Sequence, residues 1–164
     1  MGITHLETAA PIDLADWTAA HVVAFVGCKV YATSTQAVSA STITPITFDS
    51  EEFDTDGFHS TGANTSRITI PSGLAGKYLF VVSGVIPNTG STEIDFYKNG
   101  TTFVRSGGGG THPGNRAHAT CLANLSVADY IEAIVYTTVG GGLTIGHASA
   151  EQDQMTMAVQ YLGA

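Results

Sequence analysis

Two textures divide the chain. From Cys28 onward, apolar and polar residues alternate with a period of two. Short runs of Thr, Val, Ile, Tyr and Phe are separated by Gly, Asn, Pro, Asp and Ser, and no window holds a sustained apolar stripe at helical spacing. The pattern predicts an all-β domain with strands near residues 28–34, 43–48, 65–70, 76–85, 92–98, 101–105, 117–125, 129–138 and 154–162. The clearest turn is Asn99-Gly100, set between Ile94-Asp95-Phe96-Tyr97-Lys98 and Thr101-Thr102-Phe103-Val104-Arg105. Both turn residues tolerate the positive φ of a two-residue hairpin. Short strands at such spacing predict a sandwich or jelly roll rather than a closed ligand-binding barrel.

Residues 1–27 read differently. Pro11 and Asp13 open a stretch in which Leu14, Trp17 and His21 recur at loosely helical intervals. The expectation is a short helix or extended arm, either packed on the body or reaching a neighbouring subunit or larger assembly, with Leu14, Trp17, Val22 and Phe25 as its apolar contacts.

Two predicted strands break the alternation. Tyr78-Leu79-Phe80-Val81-Val82 and Ala133-Ile134-Val135-Tyr136 are apolar on both faces, and a strand of that kind needs cover on two sides. In a domain without helices to lie over an outer face, another copy of the chain is the expected cover, so the pattern predicts self-association. The alternative is a central strand covered by the arm and loops.

Composition narrows the classes. The 164 residues suffice for one domain with its own core. Charged residues make up 12% of the chain against 43% hydrophobic ones, which excludes coiled coils and disordered tails. A net charge of -8 leaves no basic face to neutralise a phosphate backbone, so nucleic acid is not expected as a partner. Cys28 and Cys121 are read as free, buried, apolar packing residues. The start of the chain lacks the cationic opening of a secretion signal, and its apolar run at residues 22–26 is too short to span a bilayer. The expectation is folding in a host cytoplasm without membrane insertion.

Few residues invite chemistry. Asp49, Glu51, Glu52, Asp54 and Asp56, followed by Gly57, are hard oxygen ligands dense enough to consider for calcium. The terminal bidentate Glu of a calcium loop is missing, and a solvated acidic loop is the preferred reading. The glycine-rich run at residues 106–116 has neither the Lys-Ser/Thr nor the following helix of a phosphate loop, and is read with residues 139–143 as a loop. If the domain recognises a glycan or host surface, His112, Asn115, Arg116 and His147 are the candidate contacts. The six histidines show no zinc-binding spacing, and no nucleophile elbow occurs. No enzyme activity, cofactor or metal is expected.

Phe48, followed after five residues by Asp54, then Ile70, followed after five residues by Gly76-Lys77-Tyr78-Leu79-Phe80, resembles the aromatic signature of the complement C1q-like globular domain, a relative of the tumour necrosis factor family. Tyr78 and Phe80 point to one face and form the centre of the sandwich, and Gly76 allows a tight entry into the strand. Ile70 and Val82 stand where the family prefers Phe and another aromatic. Residues 155–163 resemble the family's closing strand, which lies near the trimer axis. The resemblance covers about residues 28–164 and implies a C1q/TNF-like jelly-roll sandwich of about ten antiparallel strands, assembled as a homotrimer with Tyr78, Phe80, Val82, Met157, Val159 and Tyr161 as core and trimer packing.

Together these readings predict a non-enzymatic structural virion protein of a bacteriophage: a capsid decoration, head-fibre or tail knob fastened through residues 1–27 to a major capsid or tail protein. The alternative is a receptor- or carbohydrate-binding module that uses the Gly-rich loops.

Overall fold

The computed structural model describes residues 25–86, 91–104, 106–108, 116–146 and 154–164. Leu14, Trp17, Val22, His112, Asn115 and His147 lie outside the described residues.

In chain order the strands are β1 (Gly27–Tyr31), β2 (Gln36–Val38), β3 (Thr44–Pro45), β4 (Ser50–Asp54), β5 (Arg67–Thr69), β6 (Gly76–Val85), β7 (Thr92–Lys98), β8 (Thr102–Val104), β9 (Ser106–Gly108), β10 (Arg116–Leu125), β11 (Tyr130–Thr137), β12 (Leu143–Ile145) and β13 (Thr156–Gly163). A six-stranded front sheet runs β4-β1-β13-β6-β10-β9, and a five-stranded back sheet runs β3-β11-β7-β8 with β5 also paired to β11. The small pair β12-β2 completes an all-antiparallel jelly roll.

The long strands follow their alternation. Along β6, Tyr78, Phe80 and Val82 are buried while Lys77 and Val81 are exposed. Met157 and Val159 of β13 point inward beside them. Ile94 and Phe96 of β7 and Ile131, Ala133 and Val135 of β11 face them from the back sheet. The aromatic rings form a chain through the core. Phe58 meets Tyr78 edge-on at 6.1 Å, Tyr78 lies 6.1 Å from Phe80, and Phe80 reaches Phe96 of the back sheet at 6.2 Å. The Tyr78 hydroxyl, which would otherwise be unsatisfied in this apolar setting, donates to the Leu74 carbonyl.

Gly76 is required for a reason other than a tight turn. A Cβ there would lie 2.5 Å from the Gly163 carbonyl oxygen and 2.8 Å from the Tyr161 ring, so the glycine lets the end of β13 close against the start of β6. The hairpin at Asn99 is also built differently from expectation. Lys98 pairs with Thr102, which leaves three connecting residues instead of two. Asn99 and Gly100 adopt φ of 52° and 77°. Asn99 is held by Oδ1 accepting the Tyr130 N–H at 2.9 Å and Nδ2 donating to Asp129 at 2.8 Å.

Four short strands, β2, β4, β9 and β12, fall where loops were expected. β4 carries one apolar residue in Ser-Glu-Glu-Phe-Asp, and its extended form comes from pairing with β1 at the sheet edge rather than from propensity. Conversely, the strand predicted at 43–48 shrinks to Thr44–Pro45, since Pro45 brings no N–H to a ladder.

Candidate functional site

The outward side of the front sheet is the surface on which function can be argued. Alternation that buries Tyr78, Phe80 and Val82 turns Leu79 and Val81 to the outside. Across the ladders, Leu79 lies opposite Leu122 of β10 and Gln160 of β13, and Val81 lies opposite Thr120 and Ala158. Val81 is 37% exposed, Leu122 68% and Leu162 41%. One strip of this sheet is therefore greasy on both faces and covered on one.

The residues expected to pack core and trimer divide accordingly. Tyr78, Phe80, Val82, Met157 and Val159 all point into the sandwich. Tyr161 is half-buried at the strand end, with its ring 5.1 Å from Tyr78. On the outward side, Leu79 and Val81 belong to the run that the sequence marks as apolar on both faces, whereas Leu122, Ala158 and Leu162 were not singled out, since only the pairing of β10 and β13 with β6 brings them beside it.

β11 corrects the other half of the self-association argument. Ile134 is 4% exposed and Glu132 6% exposed in the single chain, so the outer face of this strand is covered without a second copy. Ser66 Oγ donates to Glu132 Oε1 at 2.7 Å, Arg67 Nε approaches the same oxygen at 3.4 Å, and the Arg67 guanidinium lies 4.1 Å over the Tyr130 ring. β5 pairs edge to edge with β11, and Ser66 and Arg67 at its start supply the polar partners that a buried carboxylate needs.

The acidic stretch is an exposed strand edge and a turn rather than a loop, and each of its carboxylates has its own partner. Asp49 accepts the Thr33 N–H and hydroxyl at 2.8 and 2.7 Å, which hold its carboxyl below the usual range. Glu51 pairs with the buried ring of His59 at 2.9 Å, and Glu52 pairs with Lys29 at 2.5 Å. Asp54 accepts the N–H groups of Asp56, Gly57, Phe58 and His59 and so closes the turn after β4. Asp56 accepts the Thr55 hydroxyl. Among the described residues no three His, Cys, Asp or Glu side chains converge as metal ligands. His59 was not singled out in the sequence, because its role depends on a contact eight residues back that only the β4 turn creates.

Cys28 and Cys121 are buried and unbridged. Cys121 lies opposite Phe80, Phe80 opposite Val159, and Val159 opposite Cys28, so the thiols sit in one row three strands apart. That is about 14 Å at the usual strand spacing, beyond the reach of a disulfide. Burial pushes the Cys121 thiol up to about 12 and raises Cys28 further, with Asp54 and Glu51 acting in the same direction. Neither is poised as a nucleophile. Of the apolar arm residues, Phe25 is described. It stands 47% exposed with its ring edge-on to Phe53 of β4 at 5.4 Å. Arg116, exposed, opens β10.

This arrangement matches known structures. The globular domain of zebrafish complement 1qA superposes with a TM-score of 0.58 at 10% identity, covering 85% of this chain and 98% of that one. Murine APRIL, of the TNF family, superposes at 0.57 with 11% identity, covering 82% and 98%. The chain has the C1q/TNF-like jelly-roll fold. No protein-family model and no curated protein matches its sequence. Among the described residues no helix is long and apolar enough to cross a membrane.

Proposed function

We propose that this chain is a non-enzymatic structural protein that works as a homotrimer, the knob of a bacteriophage capsid decoration, head fibre or tail, fastened to a major capsid or tail protein through residues 1–27. The observation that carries the reading is the half-covered strip of the front sheet around Leu79, Val81, Leu122 and Leu162. A lone domain leaves it in water, and packing it against equivalent copies gains roughly 25 cal/mol for each Å² of apolar surface removed. The low density of charge limits repulsion between copies. The virion role is supported by the change of texture at residues 1–27, which sets an arm apart from a self-contained domain.

Light scattering on the full chain at micromolar concentration is expected to return three times the protomer mass; a stable monomer overturns the assembly. Deleting residues 1–27 is expected to abolish association with particles while the trimer persists, and unchanged attachment overturns the anchoring role. A second reading, recognition of a host-surface glycan, draws support from Arg116 among the four loop candidates, because it opens β10 and lines, with Lys29, Ser83, His118 and Thr156, an open groove of about 460 Å³.

A further inference from the structure

The connection between β7 and β8 contains the single Asn-Gly pair of the sequence, Asn99-Gly100. Geometry favours both residues. Gly100 has φ of 77°, and a Cβ there would lie 3.0 Å from the Tyr130 hydroxyl, which a side chain would have to displace. Asn99 has φ of 52°, a conformation that Asn adopts more readily than most residues. The pair that suits this turn is also the one in which an asparagine is most reactive. With no side chain on the following residue, its backbone nitrogen can approach the carboxamide carbon unhindered, whereas Asn64 and Asn124 are followed by Thr65 and Leu125. Asn99 and Gly100 are both exposed to water. The native hairpin nevertheless pins the carboxamide at both ends. Oδ1 accepts the Tyr130 N–H at 2.9 Å, and Nδ2 donates to Asp129 Oδ1 at 2.8 Å. The Asn99 N–H donates to the Tyr130 carbonyl at 2.9 Å and fixes the backbone beside it. Asp129 is held in turn, its other oxygen taking the Lys98 ammonium at 2.6 Å and the Ser126 N–H at 2.8 Å. The hairpin belongs to the back sheet, so this lock exists in a single chain, whatever covers the front sheet.

We propose that Asn99 is a deamidation site held closed by these two side-chain hydrogen bonds, and that its conversion follows local release of the β7–β8 connection rather than unfolding of the domain. Attack at Cγ needs the Gly100 nitrogen above the carboxamide plane, so the side chain must turn, and turning breaks both bonds. The N–Cγ bond then forms, the Cγ–Nδ2 bond breaks, and Nδ2 leaves as ammonia with the Gly100 amide proton. Water opens the resulting succinimide at either carbonyl and gives Asp or isoaspartate, with no change of oxidation state. The product does not fit the lock. An Asp carboxylate puts an oxygen where Nδ2 donated, 2.8 Å from Asp129 Oδ1, so attraction becomes like-charge repulsion. Isoaspartate also adds one backbone carbon to the connection. Either product leaves the hairpin released from β11.

The test is peptide mass spectrometry of the full chain, aged in mildly alkaline buffer with and without concentrated urea, with Asp and isoaspartate counted at position 99. In urea, Asn99 is expected to convert before the other asparagines. The native chain is expected to convert at least about tenfold more slowly. Asp129→Ala removes the acceptor of Nδ2, and is expected to raise the native rate at least about threefold while leaving the rate in urea unchanged. Ile134→Ala weakens the whole domain but keeps the lock, and is expected to retain the parent's native rate. Equal rates in native and urea samples, a native rate indifferent to Asp129→Ala, or one raised as much by Ile134→Ala, overturn the proposal. Far-ultraviolet dichroism of each variant before ageing separates an opened lock from a lost fold. A second measurement needs no variant: the Tyr130 amide, which donates to Asn99 Oδ1, is expected to exchange with deuterium faster than the amides pairing β6 with β13. Exchange at the rate of those core amides overturns local release.

Discussion

β6 and β11 carry nearly the same message in sequence, runs of apolar residues with no polar face, yet they meet different fates. In β6 the outward residues Leu79 and Val81 remain partly in water, flanked by Leu122 and Ala158 on neighbouring strands. In β11 the outward Ile134 and Glu132 are closed off by the chain's own segments, with Ser66 and Arg67 satisfying the carboxylate. Covering a second face is a demand that sequence can register. Whether the cover comes from within the chain or from another copy depends on which loops cross which sheet. Among the described residues, the front sheet leaves Val81, Leu122 and Leu162 exposed on its outer side.

The largest effect should come from the strand that is covered from within. Ile134→Ala is expected to cost about 2–5 kcal/mol in a denaturant titration, with a midpoint indifferent to protein concentration, because it empties a site inside one chain. Leu79→Asp should do the opposite. Far-ultraviolet dichroism is expected to stay native, while the dissociation constant for self-association rises at least about a hundredfold, near 2.7 kcal/mol, as read by sedimentation. If Leu79→Asp leaves the mass unchanged, or if the Ile134→Ala midpoint moves with concentration, the contrast between the sheets fails.

Smaller effects sharpen the frame around β11. Asn99→Ala removes two hydrogen bonds that tie the β7–β8 connection to β11, at a residue with positive φ, and is expected to lower stability by about 1–2 kcal/mol. Asp129 is the subtlest case. The Lys98 ammonium, at 2.6 Å, is the main cause holding its carboxyl down at about 2, helped by the Asn99 amide and the Ser126 N–H. A depressed native value means that its contribution is complete above the ordinary carboxylate range near pH 4 and is lost as the pH falls toward 2. Acid unfolding of Asp129→Asn should therefore show a shallower slope between those limits than the parent. An identical slope would remove Asp129 from the acid response.

The acidic segment offers a second lesson about legibility. Five carboxylates in eight residues suggested solvent or a cation; they stand on an exposed edge and turn, divided among Thr33, His59, Lys29, Thr55 and a run of backbone N–H groups. Density along the chain is not convergence in space, because a strand sends successive side chains to opposite faces. The hairpin at Asn99 was legible as a turn but not in its length, since both residues tolerate positive φ in two-residue and three-residue connections alike.

The sequence by itself determined the all-β class, the inward set Tyr78, Phe80, Val82, Met157 and Val159, and the jelly-roll resemblance, because each rests on local alternation and on a compact aromatic motif. Tertiary structure decided the edge strand β4, the internal cover over Ile134, the separation of Cys28 from Cys121, and the groove that joins Lys29 to Arg116. Each of these joins residues distant along the chain, and which of them meet is fixed by the order of strands in the sheets and the paths of the loops, on which local alternation is silent.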